Sequence, residues 1–175
     1  YDGHSFLPQA AGRGAGALVV SGTKFLREPR LKKQLARAGG DRTAVILVKD
    51  TVQALGDLAR LHRQRFSIPV IGITGSAGKT TTKEMIAAVL GARLRVLKNK
   101  GSENNHIGVP MTLLGLRPWH DAAVLEMGTS HPGEIRRLTC VARPTMAVLT
   151  NIGESHLQFF KTPAGVFREK AELVS

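Results

Sequence analysis

The sequence predicts an α/β protein built around a parallel sheet, and three observations support that fold class. Short β-branched runs alternate with helix-length segments whose apolar residues recur every three or four positions, which is typical of parallel strands connected by helices. A glycine-rich loop joins one of the strand-like runs directly to a helical pattern at residues 70–91. Apolar residues make up 42% of the 175 residues. The chain can therefore bury a core, and it has room for one domain or two small ones.

Residues 1–66 show alternating helical and strand-like segments without a catalytic signature. We predict helices at 6–11 and 31–38 and strands at 17–20 and 43–48. Asp50 begins a further helix, because Gln53 follows it at the spacing of a capping box. Ser67-Ile-Pro69 then disfavours helix, so we predict a domain boundary that divides the chain into 1–66 and 67–175.

The first strand of the second part is predicted at residues 70–73. This run is short and β-branched, and it is bounded by Pro69 and Gly75, which suits a strand buried on both faces of a parallel sheet. Gly91 is placed to cap the end of the helix that follows the loop. That helix is predicted from apolar residues at helical spacing, namely Met85, Ile86, Val89 and Leu90.

Between this strand and helix lies a loop of small residues followed by a Lys-Thr pair. Its backbone N–H groups can converge on an anion at the positive end of the helix, which makes it a site for nucleotide phosphates. Lys79 would reach the outer phosphates, and the Thr80 hydroxyl would ligate Mg²⁺. The spacing departs from the usual Walker pattern because Ile73 lies five positions before Gly78, so a glycine-rich turn before an ordinary helix is the alternative. The predicted nucleotide-binding residues are Gly75, Ser76, Ala77, Gly78, Lys79, Thr80 and Thr81.

Two later strands are predicted to end at the same edge of the sheet as this loop. The strand at 121–128 is apolar until Glu126, and the strand at 145–150 leads into His156. In a parallel sheet the carboxyl ends of the strands point toward the bound nucleotide. Glu126 is therefore a candidate Mg²⁺ ligand, with a solvated carboxylate as the alternative. His156 is a candidate site residue, with a structural histidine as the alternative.

Two further helices carry candidate residues. Pro110 suits the first turn of a helix, which leaves Asn104 and Asn105 near its start, where amides can hold a polar ligand. An asparagine pair at this position is also explained as a turn or a helix cap. The last predicted helix opens at Thr162-Pro163 and carries Lys170.

Composition limits the classes of partner. The net charge is +12, and basic residues cluster at 24–37, which suits a solvated helix face, a polyanionic small molecule or nucleic acid. Nucleic acid is the least favoured, because one Trp, one Tyr and six Phe are few for a stacking platform. No apolar run approaches the roughly 18 residues of a membrane span, and the start lacks the pattern of a signal peptide. The single cysteine excludes an internal disulfide. We expect a cytoplasmic protein.

Four segments, taken together, resemble the Mur ligase family. They are Gly72–Thr81, Asn104–Leu114, Glu126–Ile135 and Asn151–Leu157. The start Asp2-Gly-His-Ser-Phe6 also resembles a segment midway through the N-terminal domain of these ligases, so the resemblance covers essentially the whole chain. The unusual glycine spacing is the family's own form of the phosphate loop.

The resemblance implies a parallel-sheet P-loop-type ATPase domain, the Mur ligase central domain in incomplete form, at 67–175. Part of a small α/β N-terminal domain that binds a UDP-sugar-peptide would precede it at 1–66, and the C-terminal domain would be absent. The implied reaction, in peptidoglycan biosynthesis, is ATP-dependent amide-bond formation through an acyl phosphate. Within the family the segments most resemble the branch that adds D-Ala-D-Ala to UDP-N-acetylmuramoyl-tripeptide. We expect a monomer that completes no ligation by itself.

The resemblance also implies roles for individual residues. Thr80 and Glu126 would hold one Mg²⁺, and a second Mg²⁺ would lie near His156. Family members carry a carbamylated lysine at this second site, and Lys170 aligns with it. His106 stands where many members have an acidic residue. The implied catalytic residues are Lys79, Asn105, Glu126, His156 and Lys170.

Two alternatives stay open. The chain could be another Mur-type ligase, either one that adds the third peptide residue or a folylpolyglutamate synthase, although the segments 104–110 and 126–128 argue against both. From a different class, it could be a non-catalytic nucleotide-binding or nucleic-acid module that uses the basic run at 24–37. A steep dependence of nucleic-acid affinity on salt would indicate the latter.

Overall fold

The computed structural model describes residues 2–37 and 43–174, and it confirms the α/β fold class with parallel strand pairing. The strands are β1 (Ala17–Ser21), β2 (Ala44–Val48), β3 (Val70–Thr74), β4 (Val96–Lys98), β5 (Ala122–Glu126) and β6 (Met146–Leu149). The helices of the first part are α1 (Leu7–Gly12), α2 (Gly22–Arg27), α3 (Pro29–Arg37) and α4 (Thr51–Arg63). Those of the second part are α5 (Lys79–Gly91), α6 (Gly108–Leu114), α7 (Glu134–Ala142), α8 (Leu157–Phe160) and α9 (Pro163–Ala171).

The chain forms two compact units, Tyr1–Ala54 and Leu55–Ser175. The division falls inside α4 rather than at the predicted position after residue 66. Contacts define a compact unit, whereas the predicted boundary concerns functional domains, so the boundary at 66 stays a prediction.

The first unit contains a two-stranded parallel sheet of β1 and β2, a 3₁₀ helix at Gly3–Phe6, the short helices α1, α2 and α3 and the start of α4. Its core consists of Leu7, Ala11, Leu18, Val20, Leu31 and Leu35. The predicted helices and strands of this part are found within two residues of their expected positions, although the predicted last residue of the second helix, Ala38, lies outside the described residues. Asp50 caps α4 as expected, because its Oδ1 atom accepts hydrogen bonds from the backbone N–H groups of Val52 and Gln53.

The second unit is organised on a parallel sheet with the strand order β4-β5-β3-β6. Successive residues of β3 and β5 point to opposite faces, so each strand contributes to two cores. Helix α5 covers one face through Ala87, Ile86 and Leu90, which pack on Ile71 and Val124. The opposite face packs against a larger cluster that includes Val109, Leu113, Ile135, Leu138 and Leu173.

Helix α5 differs from the sequence prediction in two respects. Met85 and Val89 are exposed, at 65% and 75%, so the buried stripe is narrower than their spacing suggested. Gly91 is the last helical residue and Ala92 takes the cap position in a right-handed conformation, so the predicted glycine cap is wrong. Among the described residues no helix has the length and apolar character needed to cross a membrane.

Arg63 at the end of α4 holds parts of the second unit together. Its buried guanidinium donates hydrogen bonds to the carbonyl groups of Ala142, Phe66 and Ile68. Burial and, secondarily, the charge of Arg143 lower the pKa of this group. Ala142 is the last residue of α7, whereas Phe66 and Ile68 lie in the connection between α4 and β3, so one cation joins the end of α7 to that connection.

We expect Arg63→Met to lower the free energy of unfolding by about 3 kcal/mol, because it leaves one buried and two partly buried carbonyl groups without this donor. The matched control Arg65→Met removes an exposed arginine and should change stability by less than about 0.5 kcal/mol. Denaturant unfolding followed by the fluorescence of the single tryptophan, Trp119, measures both. Equal stability of the two variants would contradict the anchoring role.

Candidate nucleotide-binding site

The loops that carry the predicted site residues leave the sheet at one edge. Ile73 of β3 is paired with Glu126 of β5, and Thr74 is paired with Leu149 of β6. Because the strands are parallel, the loops that follow β3, β5 and β6 begin side by side. This arrangement places the glycine-rich loop, Glu126 and the segment leading to His156 at a common rim.

The glycine-rich loop has a backbone that only glycine adopts readily. Gly75 and Gly78 have φ angles of +153° and +77°. A Cβ atom at position 75 would lie 1.9 Å from the hydroxyl oxygen of Thr150. Helix α5 begins at Lys79, so the first N–H groups of the helix have no partner within it and point toward the loop. The local geometry is that of an anion-binding turn at a helix N-terminus.

The chain after β6 holds this loop in place. The backbone N–H of Ala77 donates to Oδ1 of Asn151 at 2.9 Å, and the hydroxyl of Thr150 donates to the carbonyl of Ala77 at 2.7 Å. The Ser76 hydroxyl accepts a hydrogen bond from the backbone N–H of Gly153 at 2.9 Å. The sequence predicted that the strand at 145–150 ends at the same edge as this loop, but nothing in the local pattern of Thr150 and Asn151 indicates these particular hydrogen bonds.

Two lysine side chains meet at the carbonyl group of Gly75. The ammonium of Lys79 donates to it at 2.8 Å and that of Lys170 at 3.0 Å. Lys170 is almost completely buried. Burial, together with the nearby charge of Lys79, lowers the pKa of Lys170 to about 8, against a smaller opposing effect of Glu169. Lys79 therefore places a positive charge at the loop, as a site for phosphate requires, and Lys170 adds a buried amine that loses its proton more easily than a solvated lysine.

Glu126 is buried at the carboxyl end of β5. One carboxylate oxygen accepts a hydrogen bond from the Thr80 hydroxyl at 2.8 Å, and the other accepts one from the Asn104 amide at 2.6 Å. Gly128 allows the close approach of Asn104, since a Cβ atom there would lie 2.5 Å from the Asn104 side chain. The structure thus brings together Thr80 and Glu126, the predicted pair of Mg²⁺ ligands.

A pocket of about 420 Å³ opens beside the loop. Three imidazole groups line it, and Lys79 of the phosphate loop is also part of the lining. Its lining is Lys79, Asn104, Asn105, His106, Gly128, Thr129, Ser130, His131, Glu134 and His156. His156 therefore shares a cavity with Lys79, whereas Glu126, Thr80 and Lys170 are not among the residues that line it.

Asn105 has the capping contacts that the sequence offered as an alternative. Its Oδ1 atom accepts hydrogen bonds from the backbone N–H groups of Ile107 and Gly108, which begin helix α6. The side chain also lines the pocket. Its catalytic role stays a prediction, as do the individual roles of the other site residues. Thr81 is exposed in the first turn of α5.

Two carboxylates hold the loop between β5 and α7. Glu134 accepts hydrogen bonds from the backbone N–H groups of Ser130 and His131. Burial opposes its ionisation, but these donors outweigh burial and lower the pKa of Glu134. Glu169, buried on α9, accepts hydrogen bonds from the N–H groups of Gly133 and Ile135. Sequence reasoning missed Glu169 because its partners are more than 30 residues away.

Thr80 and Glu126 can hold a hard cation such as Mg²⁺ only together with further ligands. Within residues 2–37 and 43–174, no group of three or more His, Cys, Asp or Glu side chains is arranged to hold a metal ion. Thr80 and Glu126 nevertheless offer two oxygen atoms next to the phosphate loop, which is the ligand type that Mg²⁺ prefers. Mg²⁺ usually retains water and binds phosphate oxygens in such sites, so the residues fit an ion that arrives with a nucleotide.

The sheet order, the phosphate loop and the lysine pair define a P-loop-type nucleotide-binding domain. The Mur ligase middle domain matches residues 73–175, and the chain belongs to the Mur ligase family.

Curated relatives share the similarity over the whole chain. The chain is 45% identical over 175 residues to the UDP-N-acetylmuramoyl-tripeptide--D-alanyl-D-alanine ligase of Bacillus subtilis (strain 168) and covers 36% of that protein. The ligases of the same name from Synechocystis sp. (strain ATCC 27184 / PCC 6803 / Kazusa) and Escherichia coli (strain K12) are each 42% identical over all of this chain. The chain thus spans about a third of the length of these relatives, 36% of the Synechocystis protein and 35% of the Escherichia coli protein.

Solved structures agree with this relation. MurF from Acinetobacter baumannii superposes with a TM-score of 0.77 at 34% identity, over 93% of this chain and 39% of that chain. MurF ligase from Thermotoga maritima, solved in complex with ADP, superposes with a TM-score of 0.75 at 30% identity, over 93% of this chain and 41% of that chain.

Lys170 should make stability depend on pH in the alkaline range. Its pKa is about 8 in the folded chain against 10.5 for a solvated lysine, so between these values the unfolded chain binds more protons and the free energy of unfolding rises with pH. Below that window both states are protonated and the contribution is constant. We expect Lys170→Met to lose this rise and Lys100→Met, an exposed control, to retain it in denaturant unfolding across the window. Identical pH profiles of the two variants would contradict the prediction.

Proposed function

We propose that this chain forms the ATP-binding part of a ligase that joins D-Ala-D-Ala to UDP-N-acetylmuramoyl-tripeptide in peptidoglycan biosynthesis. Family membership and the names of the relatives support this proposal. The observation that carries it is the convergence of Lys79 and Lys170 on the phosphate loop, beside the Thr80–Glu126 pair.

The chemistry has to bring two anions together. A terminal carboxylate oxygen of the tripeptide attacks the γ-phosphorus of ATP, and the bond to ADP breaks to give an acyl phosphate. The D-Ala-D-Ala amine then attacks the acyl carbon, loses a proton, and expels inorganic phosphate as the amide bond forms. Carboxylate and triphosphate repel each other, so positive charge fixed at the site lowers the barrier to their approach. Lys79 supplies such a charge at the wall of the pocket.

Mg²⁺ is part of the proposal. Thr80 and Glu126 would hold one ion, and His156 with a carbamylated Lys170 would hold a second. Bound Mg²⁺ would neutralise phosphate charge. In its free form the Lys170 ammonium would repel a cation, whereas a carbamate at the same position would carry a negative charge. The buried amine therefore needs this modification before it can serve as a ligand.

Other features of the proposal follow from the substrates. ATP and a UDP-linked precursor are substrates of the cytoplasm, which is where we place the protein. The pocket beside Lys79 is proposed to receive the peptide carboxylate, with Asn105 and His106 at its wall. A monomeric state, and a role of residues 1–66 in binding the UDP-sugar-peptide, remain predictions.

The direct test is calorimetric titration of the chain with ADP in the presence of Mg²⁺. We expect binding, and we expect Lys79→Met to weaken it by about 100-fold, which is the loss of a charge-assisted contact of roughly 3 kcal/mol. Lys100→Met removes an exposed lysine and should leave the affinity unchanged. If the unsubstituted chain binds no ADP, the proposal is wrong.

A second test concerns Lys170. A pKa of about 8 leaves a substantial fraction of the amine neutral near that pH, and a neutral amine adds to CO₂ to give a carbamate and a proton. We expect the chain in ¹³C-bicarbonate to show a carbamate carbon by NMR that is absent from Lys170→Met and present in Lys100→Met. Equal signals from all three proteins would place the modification elsewhere.

A further inference from the structure

Lys83 is a fully buried lysine that the proposed mechanism does not use. It lies on α5 at the spacing of Ile86, Ala87 and Leu90, so it occupies the apolar stripe that packs on the sheet. Its relative exposure is 0%. An aliphatic side chain would fill this position without the cost of burying a charge. The presence of an ammonium therefore calls for a specific set of partners.

Those partners lie in the chain segment that follows β4. The Lys83 ammonium donates to the carbonyl groups of Asn99 at 2.9 Å and Gly101 at 2.6 Å. It also lies 3.2 Å from the carboxylate of Glu84 and 3.9 Å from Oε2 of Glu126. Its short contacts thus hold the loop after β4, and its charge compensates two carboxylates.

Asn99 extends this contact to the end of β5. Its side-chain amide, buried with the rest of the residue, donates to the backbone carbonyl of Glu126 at 2.8 Å and to that of Glu103 at 2.9 Å. Its side-chain oxygen accepts a hydrogen bond from the backbone N–H of Glu126 at 2.9 Å. Asn99 therefore holds the backbone of Glu126 from both sides, and Lys83 holds Asn99.

The same loop continues to the pocket. Five residues after Asn99, Asn104 binds the Glu126 carboxylate, and its backbone carbonyl accepts a hydrogen bond from Gly128 at 2.8 Å. Asn105 follows at the pocket wall. A displacement of the loop would move the Glu126 carboxylate and the pocket wall together.

We propose that Lys83 and Asn99 form a positioning clamp that sets the orientation of Glu126 toward a nucleotide-bound divalent cation and ties it to the pocket loop at 99–105. This inference rests on the proposed function of Thr80 and Glu126. In this inference Lys83 and Asn99 are positioning residues, which act on the cation through Glu126 and the loop rather than as its ligands. Lys83 would also repel a cation at Glu126, but its nearest contacts are the two carbonyl groups of the loop. We therefore expect the loss of these contacts to outweigh the relief of repulsion when Lys83 is replaced.

The clamp is tested by the gain in ADP affinity that Mg²⁺ provides, measured as the ratio of the dissociation constants without and with the ion. Loss of a residue that orients a metal ligand typically weakens metal binding by about 10–100-fold. We expect Lys83→Met and Asn99→Ala to reduce the ratio by about 10-fold or more, with the affinity for metal-free ADP within about 2-fold of the unsubstituted chain, since the phosphate loop is untouched. Lys100→Met, which alters an exposed lysine of the same loop, should retain the full ratio.

The outcomes separate the clamp from the proposed function. No binding of ADP by the unsubstituted chain would overturn the function, and the clamp with it. A normal Mg²⁺ gain in the unsubstituted chain and in both folded variants would overturn the clamp alone. A parallel loss of affinity with and without Mg²⁺ would also overturn it, because that result indicates general damage to the fold.

Circular dichroism and thermal melting establish whether the variants fold, and if Lys83→Met does not, Asn99→Ala decides. Hydrogen exchange on the unsubstituted chain gives a measurement that needs no variant. We expect Mg²⁺ added to the ADP complex to increase the protection of amides in the segment 100–105. Unchanged exchange there would contradict the coupling of this loop to the cation.

Discussion

The carboxylate of Glu126 lies buried at the end of β5, where the surrounding protein has to compensate for its lost hydration. A buried charge is stable only with donors and opposite charge nearby. Thr80 and Asn104 donate to its two oxygen atoms, and Lys83 lies 3.9 Å away. These three residues come from the helix after the phosphate loop and from the loop after β4. The hydrogen bonds to the Glu126 carboxylate therefore fix the position of helix α5 relative to the loop after β4.

The second constraint is the accumulation of positive charge at the carbonyl group of Gly75. Two ammonium groups share this oxygen, and their mutual repulsion adds to burial in lowering the pKa of Lys170. Burying two ammonium groups at one carbonyl oxygen is energetically unfavourable in an ordinary protein core. Loss of the Lys170 proton, or its carbamylation, would relieve this repulsion and leave the charge of Lys79 fixed in advance of binding, where it needs no reorganisation when the substrate's charge develops. Helix α9 holds Lys170 there while the adjacent Glu169 binds the start of α7.

The sequence predicted the parts of the site that depend on local pattern. The strand, phosphate loop and helix at 70–91, the carboxylate at the end of β5 and the cap by Asp50 all follow from spacing within a few residues. It did not predict Lys83, Asn99, Asn151 or Glu169, whose contacts join segments distant along the chain. Lys83 did leave a signal, since a lysine in register with Ile86, Ala87 and Leu90 on a helix indicates a buried charge. The exposure of Met85 and Val89 shows the opposite error, in which helical spacing alone overstated the buried face.

The arrangement of these contacts explains why the site requires the fold rather than the phosphate loop alone. Ser76 and Ala77 are held by the segment after β6, Gly75 by Lys170 from α9, and Thr80 by Glu126 from β5. The contacts come from the segment after β6, from α9 and from β5, and the parallel register brings the ends of β5 and β6 to the same edge as the loop. A glycine-rich loop is flexible by composition, so its shape is determined by these partners. The phosphate loop is therefore held in its binding shape by the contacts along the whole edge of the sheet.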